Sequence, residues 1–219
     1  MISYNDIKNN EAIREYIKSA DSSLRALGYT EHSFAHVEKV AVTCEYILTT
    51  LGYSERETEL AKIAAYLHDI GNLVNRVEHS QSGAVMAFRI LDKLGMSPSE
   101  IATVVTAIGN HDEGTGVPVN NVAAALILAD KSDVRRSRVR NTDVANFDIH
   151  DRVNYSVIRS ELTVLPESGE IWLELEIEDE YSSVMDYFEI FLERMILCRK
   201  AAETLNMKFR LKINGQKLL

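Results

Sequence analysis

The stretch "AAYLHDIGN", Ala64 to Asn72, decides how this chain is read. Ala64 and Leu67 continue the apolar face of a helix that opens at Ser54 before an acidic first turn and also carries Leu60 and Ile63. The helix then runs into His68 and Asp69, two titratable groups side by side, and breaks at Gly71. Neighbours on a helix lie about 100° apart, so His68 and Asp69 do not share a face. They can turn to one site only where the backbone leaves the helix, and Gly71 is expected to permit that departure by its conformational freedom.

Outward from this point, helix follows helix. Residues 6–20 carry Ile7, Ile13, Tyr16 and Ile17 in a loose stripe. "HSFAHVEKVAVTCEYILTTLG" places Val37, Val40, Ala41, Cys44, Ile47, Leu48 and Leu51 at helical spacing. "SQSGAVMAFRILDKLG" closes at Gly95, and Ser97, Pro98 and Glu100 form a capping-box start for the next helix. "VNNVAAALILADKSDVRR" is a sixth, strongly apolar helix. After about residue 153 the period changes to two. "SELTVL" and "IWLELEIE" alternate around "PESG", a hairpin with a four- or five-residue loop. A long helix from about Ser182 to Leu205 follows, and "MKFRLKI" alternates again. The expected fold is mainly α: a helical bundle over residues 1–150, with an α+β appendage over 151–219 of about three antiparallel strands and one long helix. Glu174, Glu176 and Glu178 are expected to face Lys208, Arg210 and Lys212 across the ladder.

The totals narrow the function. The chain has 219 residues and a net charge of -9, which argues against non-specific binding to nucleic acid or to an anionic membrane. Its longest apolar run, Val122 to Ala129, is too short to span a bilayer, and its first twenty residues lack a signal-peptide apolar core. Cys44 and Cys198 lie far apart in apolar stretches and read as buried free thiols, consistent with a reducing compartment, so a cytoplasmic location is expected.

Against this background certain polar residues stand out. Of six histidines, His36, His68, His79 and His111 sit at or near apolar helices, and Asp130 ends the apolar run of its helix. A buried carboxylate without a partner costs several kcal/mol. Taken singly, each has an ordinary explanation: a hydrogen-bonded core histidine, an Asp69 that caps a turn, an Asp130 that pairs with an arginine. Taken together, one divalent metal satisfies them all, and neutral imidazole with carboxylate suits zinc, manganese, iron or nickel rather than calcium.

The ordered set His36, then His68-Asp69, then Asp130 resembles the HD-domain metal-dependent phosphohydrolases, helical proteins with the pattern H…HD…D. Further segments resemble the two-metal, HD-GYP-like branch: "LHDIG", "EHSQSGAVMAFRIL" with His79 and Gly83, "GNHDEGTGVP" with His111, and "ILADKSD". The resemblance covers roughly residues 30–140. It departs from that branch at three places: Asn72 stands where those proteins carry a lysine, Asn110 replaces the first of a histidine pair, and Val117 replaces the tyrosine of GYP. The chain is therefore not read as a cyclic di-GMP phosphodiesterase.

The resemblance implies a divalent transition-metal site of one or two ions, with iron or manganese favoured and zinc, nickel or magnesium as alternatives. His36, His68, Asp69 and Asp130 would hold the first ion, and Asp69 would bridge to a second held by His79 and His111. Asp69 and His68 would be central to catalysis, the attack of a metal-activated water on a phosphate ester. Lys131 and Arg135 are the nearest candidates for binding substrate phosphate, although a basic helix end facing solvent explains much of "KSDVRRSRVR". Asp133 is placed either to orient a ligand or to cap. His32 reads as exposed at a helix start, with an outer ligand or a substrate contact as the alternative, His150 reads as structural, and Glu113 is assigned no role. The expected function is a metal-dependent phosphohydrolase, a phosphomonoesterase or phosphodiesterase, acting on a small phosphorylated compound such as a nucleotide. The alternative is an HD scaffold that binds metal and nucleotide without turnover and signals through its C-terminal part. No membrane or nucleic-acid polymer is expected as partner; a homodimer through the C-terminal subdomain is a further expectation.

Overall fold

In the computed structural model, which describes residues 1–219, the first 132 residues form seven α-helices: α1 (Tyr4–Lys8), α2 (Glu11–Ala26), α3 (Phe34–Thr50), α4 (Glu55–Leu67), α5 (His79–Lys93), α6 (Pro98–Gly109) and α7 (Asn121–Ser132). The stripe at residues 6–20 is two helices, because Ser3 and Asn10 each cap a start with a side-chain oxygen. Ser54 and Glu57 close a capping box on α4. Ser97 holds the cap position of α6, but no such box forms there; Glu100 is drawn instead to Arg56 Nε at 2.6 Å.

α7 is the axis of the bundle. Every residue from Val122 to Ser132 is buried, and the helix packs against α3, α4, α6 and α9. A helix apolar all round is a central helix, and this environment is what makes Asp130 on it conspicuous.

A short helix, α8 (Ile149–Ser156), leads into β1 (Val157–Leu165) and β2 (Glu170–Ile177), an antiparallel hairpin around residues 166–169. α9 (Val184–Thr204) follows, then β3 (Lys208–Ile213) and a two-residue β4 (Gln216–Lys217). The sheet has four strands in the order β1-β2-β3-β4, and it is not wholly antiparallel: β2 and β3 run parallel. The cause is the connection. A 21-residue helix is about 31 Å long, enough to carry the chain back to the end of the sheet where β2 began, so the next strand starts in the same direction. The parallel register also changes the charge pairs. Arg210 meets Glu170 (2.7 Å) and Lys212 meets Glu174 (3.1 Å), while Glu176 pairs with Arg159 on β1 and Glu178 with Arg136. Trp172 is half-buried; its Nε1 donates to Glu170 Oε2 at 3.0 Å.

α9 packs on α7 on one side and on β3 on the other, so one apolar cluster runs from Ile7 on α1 through the bundle to Ile213 on β3. Cys44 and Cys198 are both buried and unpaired. No helix is long and apolar enough to cross a membrane.

Candidate metal centre

The six chemically distinctive residues come from helix ends that meet over α7. His36 lies in the first turn of α3. His68 is the C-cap of α4. Asp69 leaves the helix at φ -95°, ψ 2°, ahead of a 3-10 turn over Ile70–Leu73. His79 is the first residue of α5, His111 follows the end of α6, and Asp130 sits in the last turn of α7. All six are buried.

The packing that allows this is tight between Ile70–Leu73 and α5. A Cβ on Gly71 would lie 1.9 Å from the His79 carbonyl oxygen and 2.5 Å from the Gly83 nitrogen. Gly71 is not in the left-handed region, so its value here is the space left by a missing side chain rather than conformational freedom.

The side chains converge. His36 Nε2 is 3.2 Å from Asp130 Oδ1 and 3.6 Å from Asp69 Oδ2, and His68 Nε2 is 3.2 Å from Asp69 Oδ2 and 3.7 Å from Asp130 Oδ1. On the other side, His79 Nε2 is 3.5 Å from Asp69 Oδ1 and 3.2 Å from His111 Nε2. The two oxygens of Asp69 thus face two different groups of histidines. His36, His68 and Asp130 form one set with ligand atoms close enough for a single ion; His68, Asp69 and His111 form another.

The outer nitrogen of each imidazole is committed. His68 Nδ1 contacts the Ala65 carbonyl at 2.7 Å, His111 Nδ1 the Ile108 carbonyl at 2.6 Å and His79 Nδ1 the Arg76 carbonyl at 3.1 Å; His36 Nδ1 lies 2.8 Å from Asp133 Oδ2. Carbonyl and carboxylate oxygens only accept, so the proton belongs at Nδ1 and the Nε2 lone pair points inward. That is how metal-binding histidines are usually oriented. His36 Nε2 and His68 Nε2 are buried with no hydrogen-bond partner at all. A polar atom left so costs about 1–3 kcal/mol, and a cation among these lone pairs satisfies it. The donor set therefore fits a divalent metal.

The charges agree with this. Burial opposes the ionised form of Asp69 and Asp130. The adjacent His68 holds Asp69 well below the usual carboxylate range, and Lys131, His36 and His68 do the same for Asp130. Burial likewise opposes a charged His68, but without an ion the two carboxylates hold its pKa up at about 10, so a binding cation takes the place of a proton on Nε2. Burial, with His68 and His79 nearby, keeps His111 neutral.

The centre opens to a cavity of about 570 Å³. Its wall includes Asp69, His79, His111 and Asp130, then residues from the α2–α3 connection (Tyr29, His32), from α8 (His150, Asp151, Asn154) and from α9 (Phe191, Arg194). His32 is half-buried, its ring 5.6 Å from that of His36, and His150 is exposed on the cavity wall. Glu113 joins two parts of that wall, accepting from Lys131 Nζ at 2.9 Å and Arg194 Nε at 2.7 Å. Lys131 is buried and paired with Glu113 and with Asp130 Oδ2 at 2.8 Å. Arg135 does not reach the cavity; its guanidinium is spent on Asp133, Ser137 and Glu31. Arg76, Arg138 and Arg194 line the cavity instead. Arg138 belongs to the basic run KSDVRRSRVR, but no local pattern marked the other two: Arg194 lies on α9, more than sixty residues beyond Asp130, and Arg76 lies in an irregular loop.

Asp133 is the support of His36. Its carboxylate also accepts from Lys39 Nζ at 2.8 Å and Arg135 Nε at 2.9 Å, and His36 with Arg138 holds it well below the usual range against burial. In Asp133→Asn, the amide places a donor among these cations and leaves His36 free to turn. Metal affinity should fall roughly ten- to hundred-fold, as read by competition with a chromogenic chelator; unchanged affinity would mean that His36 is held by packing alone.

The HD domain family model matches residues 33–152, more than half of the chain, and the chain belongs to this family. HD domains bind divalent metals, and the histidines and aspartates described above are groups able to hold one. The chain is 26% identical over 183 residues, 73% of its length and 70% of the relative's, to the uncharacterized protein MJ1020 of Methanocaldococcus jannaschii. It is also similar to the crystal structure of a predicted HD superfamily hydrolase from an uncultured Thermotogales bacterium. That match has 24% identity and a TM-score of 0.46, over 57% of this chain and 67% of that one.

Proposed function

We propose that this protein is a divalent-metal-dependent phosphohydrolase that cleaves a phosphate ester of a small compound, a nucleotide being the first class to test. One observation carries the reading: four imidazoles, each with Nδ1 committed to an acceptor, turn Nε2 toward Asp69 and Asp130 at the floor of an open cavity. His36, His68, Asp69 and Asp130 would hold one ion, and Asp69, His79 and His111 a second, with iron or manganese favoured by the mixed imidazole and carboxylate set. Such ions supply positive charge to phosphate oxygens and a water ionised near neutral pH.

The chain's own residues do the rest. Asp69, held between the two histidine groups, keeps both sets in register. Asn72 Nδ2 donates to Asp69 Oδ1 at 3.0 Å and to its carbonyl at 2.9 Å, which fixes the carboxylate. Lys131 offsets the negative charge of Asp130 from inside the wall. The lining is mostly polar and charged, with few apolar side chains, which suits a hydrated, phosphorylated substrate better than a lipid.

The test begins with metal. Protein purified without chelator should contain manganese, iron or both. Manganese at a hundred times its dissociation constant should stabilise the fold by about 2.7 kcal/mol, a rise in Tm of roughly 5–10 °C for a chain of this size, reversed by EDTA. Turnover on a panel of nucleotide monoesters and diesters completes the case. Protein with no metal and no thermal shift would remove the basis of the reading.

A further inference from the structure

We propose that Arg76 is the residue that grips the phosphoryl group of the substrate, an assignment that rests on the phosphohydrolase reading and extends it to a specific side chain. Four cations line the cavity: Arg76, Lys131, Arg138 and Arg194. Three are already neutralised. Lys131 lies between Asp130 and Glu113, Arg194 is bound to Glu113, and Arg138 faces Asp133 at 3.8 Å and donates to the carbonyls of Glu31 and Asp133. Arg76 has no carboxylate within ion-pair distance.

Its neighbours hold it without discharging it. Nη1 lies 3.5 Å from Asn72 Oδ1 and 3.2 Å from His79 Nε2, and the guanidinium carbon is 5.8 Å from the ring centre of Tyr29. A cation that is half-buried, stacked and unpaired, beside an imidazole whose lone pair faces the metal-binding carboxylates, is arranged for an anion that comes and goes. A guanidinium fork presents two parallel N–H groups to two phosphate oxygens.

The backbone of the same residue has a separate task, since the Arg76 carbonyl accepts from His79 Nδ1. Side-chain substitution should therefore leave the histidine oriented by its backbone bond, and because a guanidinium 3.2 Å from His79 Nε2 opposes a metal cation there, its removal should not weaken metal binding.

The experiment uses the full chain loaded with manganese, with inorganic phosphate as probe and binding read from broadening of the phosphorus NMR line and from competitive inhibition. Arg76→Gln should keep the wild-type metal content and thermal shift but bind inorganic phosphate roughly ten- to hundred-fold more weakly, the range expected for lost hydrogen bonds to a charged group. KM for a phosphate ester should rise by a similar factor and kcat fall less. Arg76→Lys should recover part of the loss by charge alone, and Arg159→Ala, on the exposed face of β1 and outside the cavity lining, should match wild type. Arg76→Gln protein that carries full metal and binds phosphate as wild type does would overturn the assignment while leaving the phosphohydrolase reading standing. Wild-type protein that binds phosphate through Arg76 yet hydrolyses nothing on the panel would sink that reading and leave the anion site. Metal-loaded wild-type protein that binds no phosphate overturns the assignment outright.

Discussion

Asp69→Asn protein should fold normally and lose phosphate-ester turnover by about a thousand-fold or more, on the order of 4 kcal/mol of barrier. The volume of the side chain is unchanged, but its two oxygens are not interchangeable with an amide. Oδ2 faces His36 and His68, and Oδ1 faces His79. Whichever way the amide settles, one histidine group meets N–H donors where it had an anionic oxygen, and the charge shared between the two groups is gone. If the amide oxygen stays toward Asn72 Nδ2, the NH₂ turns toward His36 and His68. The variant should retain less metal than wild type, measured by elemental analysis, and lose most of the manganese-induced rise in Tm. In EDTA its Tm should stay close to wild type, because removing a buried charge compensates for the lost contacts with His68. A variant with full metal content and more than a tenth of wild-type turnover would show that Asp69 is not shared between two ligand sets.

The sequence made the helix order and the six central residues readable because each signal is local. Caps such as Ser54, the 3.6-residue period of α3 and α4, and polar residues ending apolar runs all lie within one turn of the residues they describe. Asp130 was conspicuous because its helix has no exposed face on which a carboxylate would be ordinary. The walls of the cavity were not readable for the opposite reason. Arg194, Asn154 and Tyr29 reach it from three separate elements, and nothing in the residues around them encodes that meeting. Alternation marked β3 as a strand, but the antiparallel direction expected for it is not the one found, since charge complementarity between Glu174 and Lys212 is satisfied in either orientation; the length of α9 decides it. Arg135 shows the limit of proximity in sequence. It lies five residues after Asp130, yet α7 ends at Ser132 and the chain turns the guanidinium back to Asp133 and Glu31.

Gly71→Ala is the substitution expected to cost most in stability for the fewest atoms added. The new Cβ would stand 1.9 Å from one backbone atom and 2.5 Å from another, distances that real Cβ atoms do not reach. Neither contact is with the far end of a flexible side chain, so relief requires the start of α5 to move away from the Ile70–Leu73 turn. Overpacking inside a core commonly costs about 1–3 kcal/mol, and a clash with two backbone groups of a helix start belongs at or above the upper end. The expected loss is ~3 kcal/mol, or roughly 6–12 °C in Tm for a chain of this length. The displacement also has a chemical consequence, because α5 begins with His79, whose Nε2 lies 3.5 Å from Asp69 Oδ1. An outward shift of about 1 Å would take that nitrogen away from Asp69 while leaving His36, His68 and Asp130 in place. The variant should therefore lose affinity for one ion more than for the other, visible as a change from two-step to one-step manganese titration. Gly83→Ala offers the contrast on the facing helix: its Cβ would meet the His68 carbonyl oxygen at 3.2 Å and the Gly71 nitrogen at 3.3 Å, separations that a shift of a few tenths of an ångström relieves. Its loss of Tm should be less than half that of Gly71→Ala; equal losses would mean that the interface as a whole, rather than the space at Gly71, sets the position of His79.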